Sequence, residues 1–174
     1  MTAGANRREP IDDVLFAAPR RARESDERYT PGWVFDGLGL VFDLDPAAAL
    51  AGDDHVPART RWTRLDDGLS RPWFGLVWCN PPFANAAPFA DRFREHGAGV
   101  FLGPVANARW CVDLVGAARL VWFVRDFPFD HPTHPGRRSS MPLAFVAMGD
   151  AGAAGLDRLA RSGRHSGVRL VPAA

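Results

Sequence analysis

Residues 74–83 read FGLVWCNPPF: an apolar run, Phe74 to Cys79, stopped by Asn80-Pro81-Pro82-Phe83. The run predicts a strand buried on both faces, the pattern of a parallel sheet covered by helices. The tetrapeptide then stands at the carboxyl end of that strand, where open α/β sheets bind their ligands. Pro81 and Pro82 have no backbone N–H, and a residue that precedes proline is held extended. The loop is therefore stiff and presents carbonyl oxygens without matching donors. Asn80 adds an amide oxygen, and Phe83 a flat apolar face. Such a rim accepts hydrogen bonds from an NH2 group on a planar ring, the chemistry of a nucleobase amine. Asn and Pro also end strands in plain turns.

Working outward, apolar runs recur at Gly99 to Leu102, Leu120 to Val124 and Leu143 to Met148. Residues 86–96, with Phe89 and Phe93 at i and i+4, and 107–115, with Trp110 and Leu114, have helical spacing. Strand, helix, strand, helix, strand predicts a single α/β domain with a mostly parallel, Rossmann-like sheet. The runs 120–124 and 143–148, joined by the Pro/His/Arg loop 126–141, predict a C-terminal hairpin at the sheet edge. A helix over Ala153 to Arg161 and a strand over Val168 to Val171 complete the chain.

Towards the N-terminus, Leu40 to Leu44 predicts a short strand closed by Asp45-Pro46. Thr30-Pro31 ahead of Trp33, Val34, Phe35 and Leu38 reads as the start of a short capped helix, ended by Gly37 and Gly39. Residues 47–72 carry many turn formers and no clear long element. Residues 1–28 are polar and Arg-rich and read as a mobile tail, leaving 29–174 as the domain.

Composition narrows the class. The chain has 174 residues and a formal net charge of +1, and all 21 basic residues are arginine. The absence of Gln and the single Ile11 extend the bias to uncharged residues, which favours a compositional origin over selection for phosphate binding. No apolar run reaches the length of a membrane span, and the N-terminus lacks an apolar signal core. A cytoplasmic protein with no membrane partner is expected. Cys79 and Cys111 make neither a disulfide framework nor a metal knuckle. Asp130, His131 and His134 lack a further ligand in spacing, so no metal is expected.

In order along the chain stand Tyr29-Thr30-Pro31 with Trp33 and Phe35, then FDLDPA at 42–47, Asp66-Asp67-Gly68-Leu69, Trp73 with Trp78, and Asn80-Pro81-Pro82-Phe83. This ordered set resembles the compact phage-type DNA N6-adenine methyltransferases, over roughly Tyr29 to Met148. The resemblance implies a methyltransferase fold, S-adenosylmethionine as cofactor, and methyl transfer to the N6 amine of a flipped adenine in DNA. It implies that Asn80, Pro81, Pro82 and Phe83 form the catalytic motif. Thr30 and Pro31 would line the cofactor's methionine end, Asp45-Pro46 would meet its ammonium, and Asp67 and Leu69 would lie at its adenine. Each segment has an ordinary alternative: a helix start, a strand exit, a tight turn. Asp43 competes with Asp45, since strand alternation places both on one face.

Two departures from the family pattern stand out. DLDPAAALAG at 43–52 replaces the usual glycine-rich loop, and only Asp53 and Asp54 stand, by position alone, where the ribose would need an acid. The cofactor half of the sheet is thus expected to be reduced. For DNA, Arg137, Arg138 and Ser139 in the 126–141 loop are candidate phosphate contacts, together with the arginines of the tail. Methylation of RNA adenine or a protein glutamine amide, and an inactive DNA-binding relic, are the competing functions. Oligomeric state is left open by the sequence.

Overall fold

The computed structural model describes residues 28–50, 55–130 and 136–172. The expected tail over 1–28 therefore lies outside the described residues except for Arg28. Asp53, Asp54, His131 and His134 lie outside them too.

The apolar runs form the centre of a seven-stranded sheet. In chain order the elements are α1 (Gly32–Leu38), β1 (Phe42–Ala48), β2 (Ala58–Thr63), β3 (Val77–Cys79), α2 (Ala86–His96), β4 (Gly99–Pro104), α3 (Arg109–Gly116), β5 (Leu120–Val124), β6 (Leu143–Met148), α4 (Gly149–Arg161) and β7 (Gly167–Leu170). The spatial order is β2-β1-β3-β4-β6-β5-β7. The pairs β2–β1, β1–β3 and β3–β4 are parallel, and the pairs involving β6 or β7 are antiparallel. Five strands thus run one way and β6 and β7 the other.

Successive side chains of the central strands alternate between two cores, as a strand buried on both faces requires. Trp78, Val100, Leu102, Trp122 and Phe145 pack with Val34, Phe35 and Leu38 of α1 and Leu156 and Leu159 of α4. Val77, Cys79, Phe101, Val121 and Val146 pack with Phe89, Ala90 and Phe93 of α2 and Leu114 of α3. Helix α4 comes close enough that a Cβ on Gly152 would collide with the Gly99 carbonyl.

The structure corrects four expectations. Strands β5 and β6 do form a hairpin, but β6 is inserted between β4 and β5, and β7 takes the edge. The reason is burial: all six β6 residues are buried, whereas all four of β7 are exposed. Strand β3 is shorter than the run 74–79, because Gly75 turns into the left-handed region (φ 62°) just ahead of it. Strand β2 was not foreseen in 47–72; ARTRWT has no buried residue and is polar at Arg59, Thr60, Arg61 and Thr63, as suits an edge strand. Helix α4 begins four residues before the expected Ala153, in a glycine-rich stretch whose low helix propensity concealed it.

Strand β1 carries a distortion that matters for the site. The N–H groups of Asp43 and Leu44 both point to the Leu76 carbonyl, at 2.8 and 3.4 Å, so two residues of β1 oppose one of its neighbour. This bulge shifts the alternation. Phe42 packs in the α1/α4 core and Leu44 in the α2/α3 core. Asp43 and Asp45 consequently serve different surroundings.

Among the described residues, no helix covers the connections β1–β2 (49–57) or β2–β3 (64–76), while β3–β4 and β4–β5 each carry one. No helix is long and apolar enough to cross a membrane.

Candidate functional site

From the carboxyl end of β1 the chain leaves towards β2, and from that of β3 towards β4 on the opposite side. The crevice between the two ends is the topological switch point of the sheet. A cavity of about 380 Å³ opens there, within the size range of small-molecule sites. Thr30, Asp45, Pro46, Asp67, Leu69 and the whole Asn80–Phe83 motif line it. Segments expected to act together from their order in the sequence therefore do meet in space.

Asn80 is held by its amide nitrogen, which donates to the Arg28 carbonyl and to the Thr30 hydroxyl, each at 3.2 Å. Both N–H hydrogens are committed, which leaves the amide oxygen as the acceptor that this cavity-lining residue can offer. Pro81 is buried, Pro82 exposed and Phe83 half-buried at the start of a short 3-10 turn, Phe83–Asn85, that leads into α2. The Asn85 N–H closes this turn on the Pro82 carbonyl.

Thr30, 2% exposed, lines the cavity, but it does not cap α1: the residue at the helix start is Pro31, with no side-chain cap. Its hydroxyl instead orients Asn80. Pro31 is placed at the helix start and does not line the cavity.

Asp45, 3% exposed, accepts a hydrogen bond from the Ala47 N–H at 3.0 Å. A carboxylate buried this far is costly unless something charged or hydrogen-bonding meets it. Cys79 directly precedes Asn80 at the end of β3; burial pushes its thiol well up, with the nearby Asp45 carboxylate adding to the shift. Cys79 is packing, not a nucleophile.

Asp43 is not at the cavity. One carboxylate oxygen accepts from the Leu76 N–H at 2.8 Å and the other from Arg59 at 2.6 Å. The Leu76 N–H and then the Arg59 guanidinium hold it below the ordinary carboxylate value. The bulge explains the departure from the expected shared face.

The wall opposite the motif is a turn built by its own polar groups. The Asp66 carboxylate accepts from the Thr63 N–H and hydroxyl, both at 3.0 Å, and the Thr63 N–H leads the causes that lower its pKa. The Trp73 indole donates to the Gly68 carbonyl at 2.7 Å. Gly68 lies so close to the Pro46 carbonyl that any Cβ would collide with it. These ties hold Asp67 in the left-handed region (φ 50°), unusual for a residue other than glycine and tolerated best by Asp and Asn.

Residues 127–130 pair with 137–139: the Phe129 N–H donates to the Arg137 carbonyl (3.1 Å) and the Ser139 N–H to the Phe127 carbonyl (2.8 Å). Phe127 and Phe129 are buried, and Phe129 meets Phe83 edge-on at 6.0 Å. Arg137 thus stands across from a residue that touches the NPPF motif, and Arg137 and Arg138 are both exposed. Arg138 also donates to the Asp126 carbonyl at 3.0 Å. Ser139 is a correction to the expected phosphate contacts. It is 6% exposed, and its hydroxyl donates to the Met141 carbonyl at 2.7 Å, which fixes the base of the arm.

Sequence reasoning missed Phe129, and it counted Arg28 only among the tail arginines as a candidate DNA contact, not as part of the cavity. The guanidinium of Arg28 lies over the Phe83 ring, 4.6 Å from its centroid, and 5.9 Å from that of Phe129. The alternation of Phe127 and Phe129 within a polar loop was the available signal for Phe129; a single arginine at the end of an Arg-rich segment offered none for the cavity. Among the described residues no group of three or more His, Cys, Asp or Glu is placed to hold a metal ion. No protein-family model matches the chain, and no curated protein matches it significantly.

Proposed function

We propose that this protein transfers a methyl group from S-adenosylmethionine to the N6 amine of adenine in DNA. The observation that carries the reading is the state of Asn80: both its amide hydrogens are tied back, which leaves the oxygen as the acceptor of this cavity-lining side chain, beside a buried proline that has no N–H. That rim accepts hydrogen bonds and offers few in return, a match for an amine and a poor match for a carbonyl.

The cavity also fits the cofactor at one end. The buried Asp45 carboxylate suits an ammonium group, a charge-assisted pairing. Asp67 and Leu69, on the opposite wall, suit the amine and the flat face of an adenine. For the ribose there is less: β2 ends at Thr63, followed by Arg64, and Asp66 is occupied with Thr63 and Arg71. When bound, S-adenosylmethionine supplies a methyl group already activated for transfer.

The residues of the chain then position the acceptor. Phe83 stacks the extruded base, and the acceptor rim holds the hydrogens of its amine. An aromatic amine is a weak nucleophile because its lone pair is drawn into the ring. Acceptors on both hydrogens favour the pyramidal nitrogen and stabilise the positive charge that grows on it, so that no general base is needed during transfer and the methylated amine releases its extra proton to water afterwards. Fixed orientation supplies much of the remaining acceleration. The exposed Arg137 and Arg138 supply backbone contacts that position the duplex.

Radiolabelled methyl transfer offered in parallel to DNA, RNA and protein tests the reading. Label in the DNA adenine fraction is expected, and label confined to RNA or protein overturns it. Asn80→Ala is expected to cut transfer by about 100-fold or more while S-adenosylmethionine still binds. Normal transfer by that variant would refute the site.

A further inference from the structure

The amine is only part of the adenine edge. N1 and N7 flank it, and both are acceptors that carry no hydrogen. A slot that closes over the base must meet them with a donor or leave an acceptor desolvated and unpaired, which is costly. The Asn80–Phe83 rim has no side-chain donor to spare: Pro81 and Pro82 carry none, and both hydrogens of the Asn80 amide are tied to Arg28 and Thr30. A second asparagine, Asn85, lines the same cavity in the opposite state. It stands just before α2, where an Asn ordinarily turns its side chain back onto the N–H groups of the helix. Pro88, the third residue of α2, has no N–H to be capped in this way. Among the described residues the Asn85 side chain neither caps α2 nor has another hydrogen-bond partner. Its backbone is held all the same. The N–H donates to the Pro82 carbonyl at 2.8 Å, and α2 is anchored behind it through the buried Ala86, Phe89, Ala90 and Phe93. Of the cavity-lining residues from Asn80 to Phe89, Asn85 alone carries a side chain with uncommitted N–H groups.

We propose that Asn85 is a specificity-determining residue, an inference that rests on the methyltransferase reading: its amide N–H donates to a ring nitrogen, N1 or N7, of the adenine whose amine the rim holds. Two amides on one short segment then divide the edge of the base. Asn80, with its hydrogens tied back, has its oxygen for the amine. Asn85, with its hydrogens untied, has a donor for the ring. The second contact also orients. A base held at its amine alone is free to pivot about that nitrogen. A hydrogen bond at the ring removes the pivot and fixes the direction of the attacking lone pair, which is where orientation contributes to the rate.

Asn85→Asp separates this role from a helix cap. Aspartate has the same shape, caps a helix as well and suits the positive end of α2, but it has no N–H to donate. Single-turnover methyl transfer by the full chain is measured on oligonucleotides built on a site that the wild type methylates, with adenine, 1-deazaadenine or 7-deazaadenine at the target. Label on the exocyclic nitrogen reports the base in the acceptor slot alone, whatever fills the cofactor's adenine end. Asn85→Asp is expected to slow transfer to adenine about tenfold or more, with the unfolding midpoint and the affinity for S-adenosylmethionine held. On one of the two deaza bases the wild type is expected to slow by a similar factor, and the further loss in Asn85→Asp to shrink to within about twofold. Asn85→Ala, which lacks cap and donor alike, is expected to show the same coupling. Equal transfer by the wild type and Asn85→Asp overturns the proposal and makes Asn85 a cap. A loss that persists undiminished on both deaza bases overturns it too, since Asn85 would then act without touching the ring. In either case the methyltransferase reading stands on the wild-type transfer. Absence of wild-type transfer to any DNA overturns that reading, and this inference with it.

Discussion

The two walls of the cavity are built in different ways. The wall that carries Asn80–Phe83 stands on β3 and β4, whose neighbours β1 and β6 flank them and whose two faces are covered by α1 with α4 and by α2 with α3. The wall that carries Asp67–Leu69 stands next to β2, an edge strand without a buried residue, and no helix among the described residues covers its connections. The first wall takes its rigidity from close packing. The second takes it from three local ties: Asp66 to Thr63, Trp73 to Gly68, and Gly68 against Pro46. On the proposed function, chemistry that depends on the exact aim of an amide oxygen would fall in the dense half, and recognition of a larger ligand, which tolerates small shifts, in the thin half.

The comparison breaks most visibly in the core of the dense half. Phe145 is fully buried and meets Trp78, Trp122 and Phe127. Phe145→Ala is expected to cost about 3–5 kcal/mol, read by urea denaturation. Trp62→Ala, in the half-exposed β2, is expected to cost clearly less; equal losses would abolish the distinction between the halves. A second test separates binding from folding. Asp45→Ala is expected to weaken S-adenosylmethionine by about 2–3 kcal/mol in calorimetry, and Asp45→Asn, which keeps the size and an acceptor for the Ala47 N–H, is expected to show a similar loss with the fold retained. Unchanged cofactor affinity would take Asp45 out of the site.

The smallest expected effect is on acid stability. Asp43 and Asp66 both have carboxyl groups held below the ordinary value, by backbone N–H groups first and by arginine second in one case, Thr63 in the other. A depressed folded-state pKa adds stability that is complete above the unfolded value and is lost as the pH falls through the folded one. Both residues tie down the β1–β2 half. Amide exchange in β2 and in 64–69 is therefore expected to quicken below pH about 4 before that of β4 and β6. Asp66→Asn is expected to remove part of that dependence. Loss of protection in all strands at a single pH would mean that the two halves unfold as one.

Much of this was legible in the chain. The runs 99–102, 120–124 and 143–148 appear as β4, β5 and β6 because unbroken apolar runs have few other places to go. The NPPF motif announced its position at a strand end because proline cannot continue a ladder. Strand β2 escaped notice because an edge strand buried on neither face leaves no strong pattern. The partnership of Asp43 with Asp45 failed because β1 bulges where it pairs with its neighbour, and simple alternation assumes a strand without a bulge. Ser139 reads as a polar loop residue, but its hydroxyl was claimed by a carbonyl two residues on.

By itself, then, the sequence determined most of the strands and helices, β2 excepted, and which short motif stands at a strand end, since periodicity, proline and glycine act locally. Only the tertiary structure decided that the Asn80 amide nitrogen is tied to the Arg28 carbonyl and the Thr30 hydroxyl, and that Arg28 lies on Phe83. Those are contacts across about 50 residues of chain. They depend on where β1 and β3 part at the switch point of the sheet, and no local pattern carries that information.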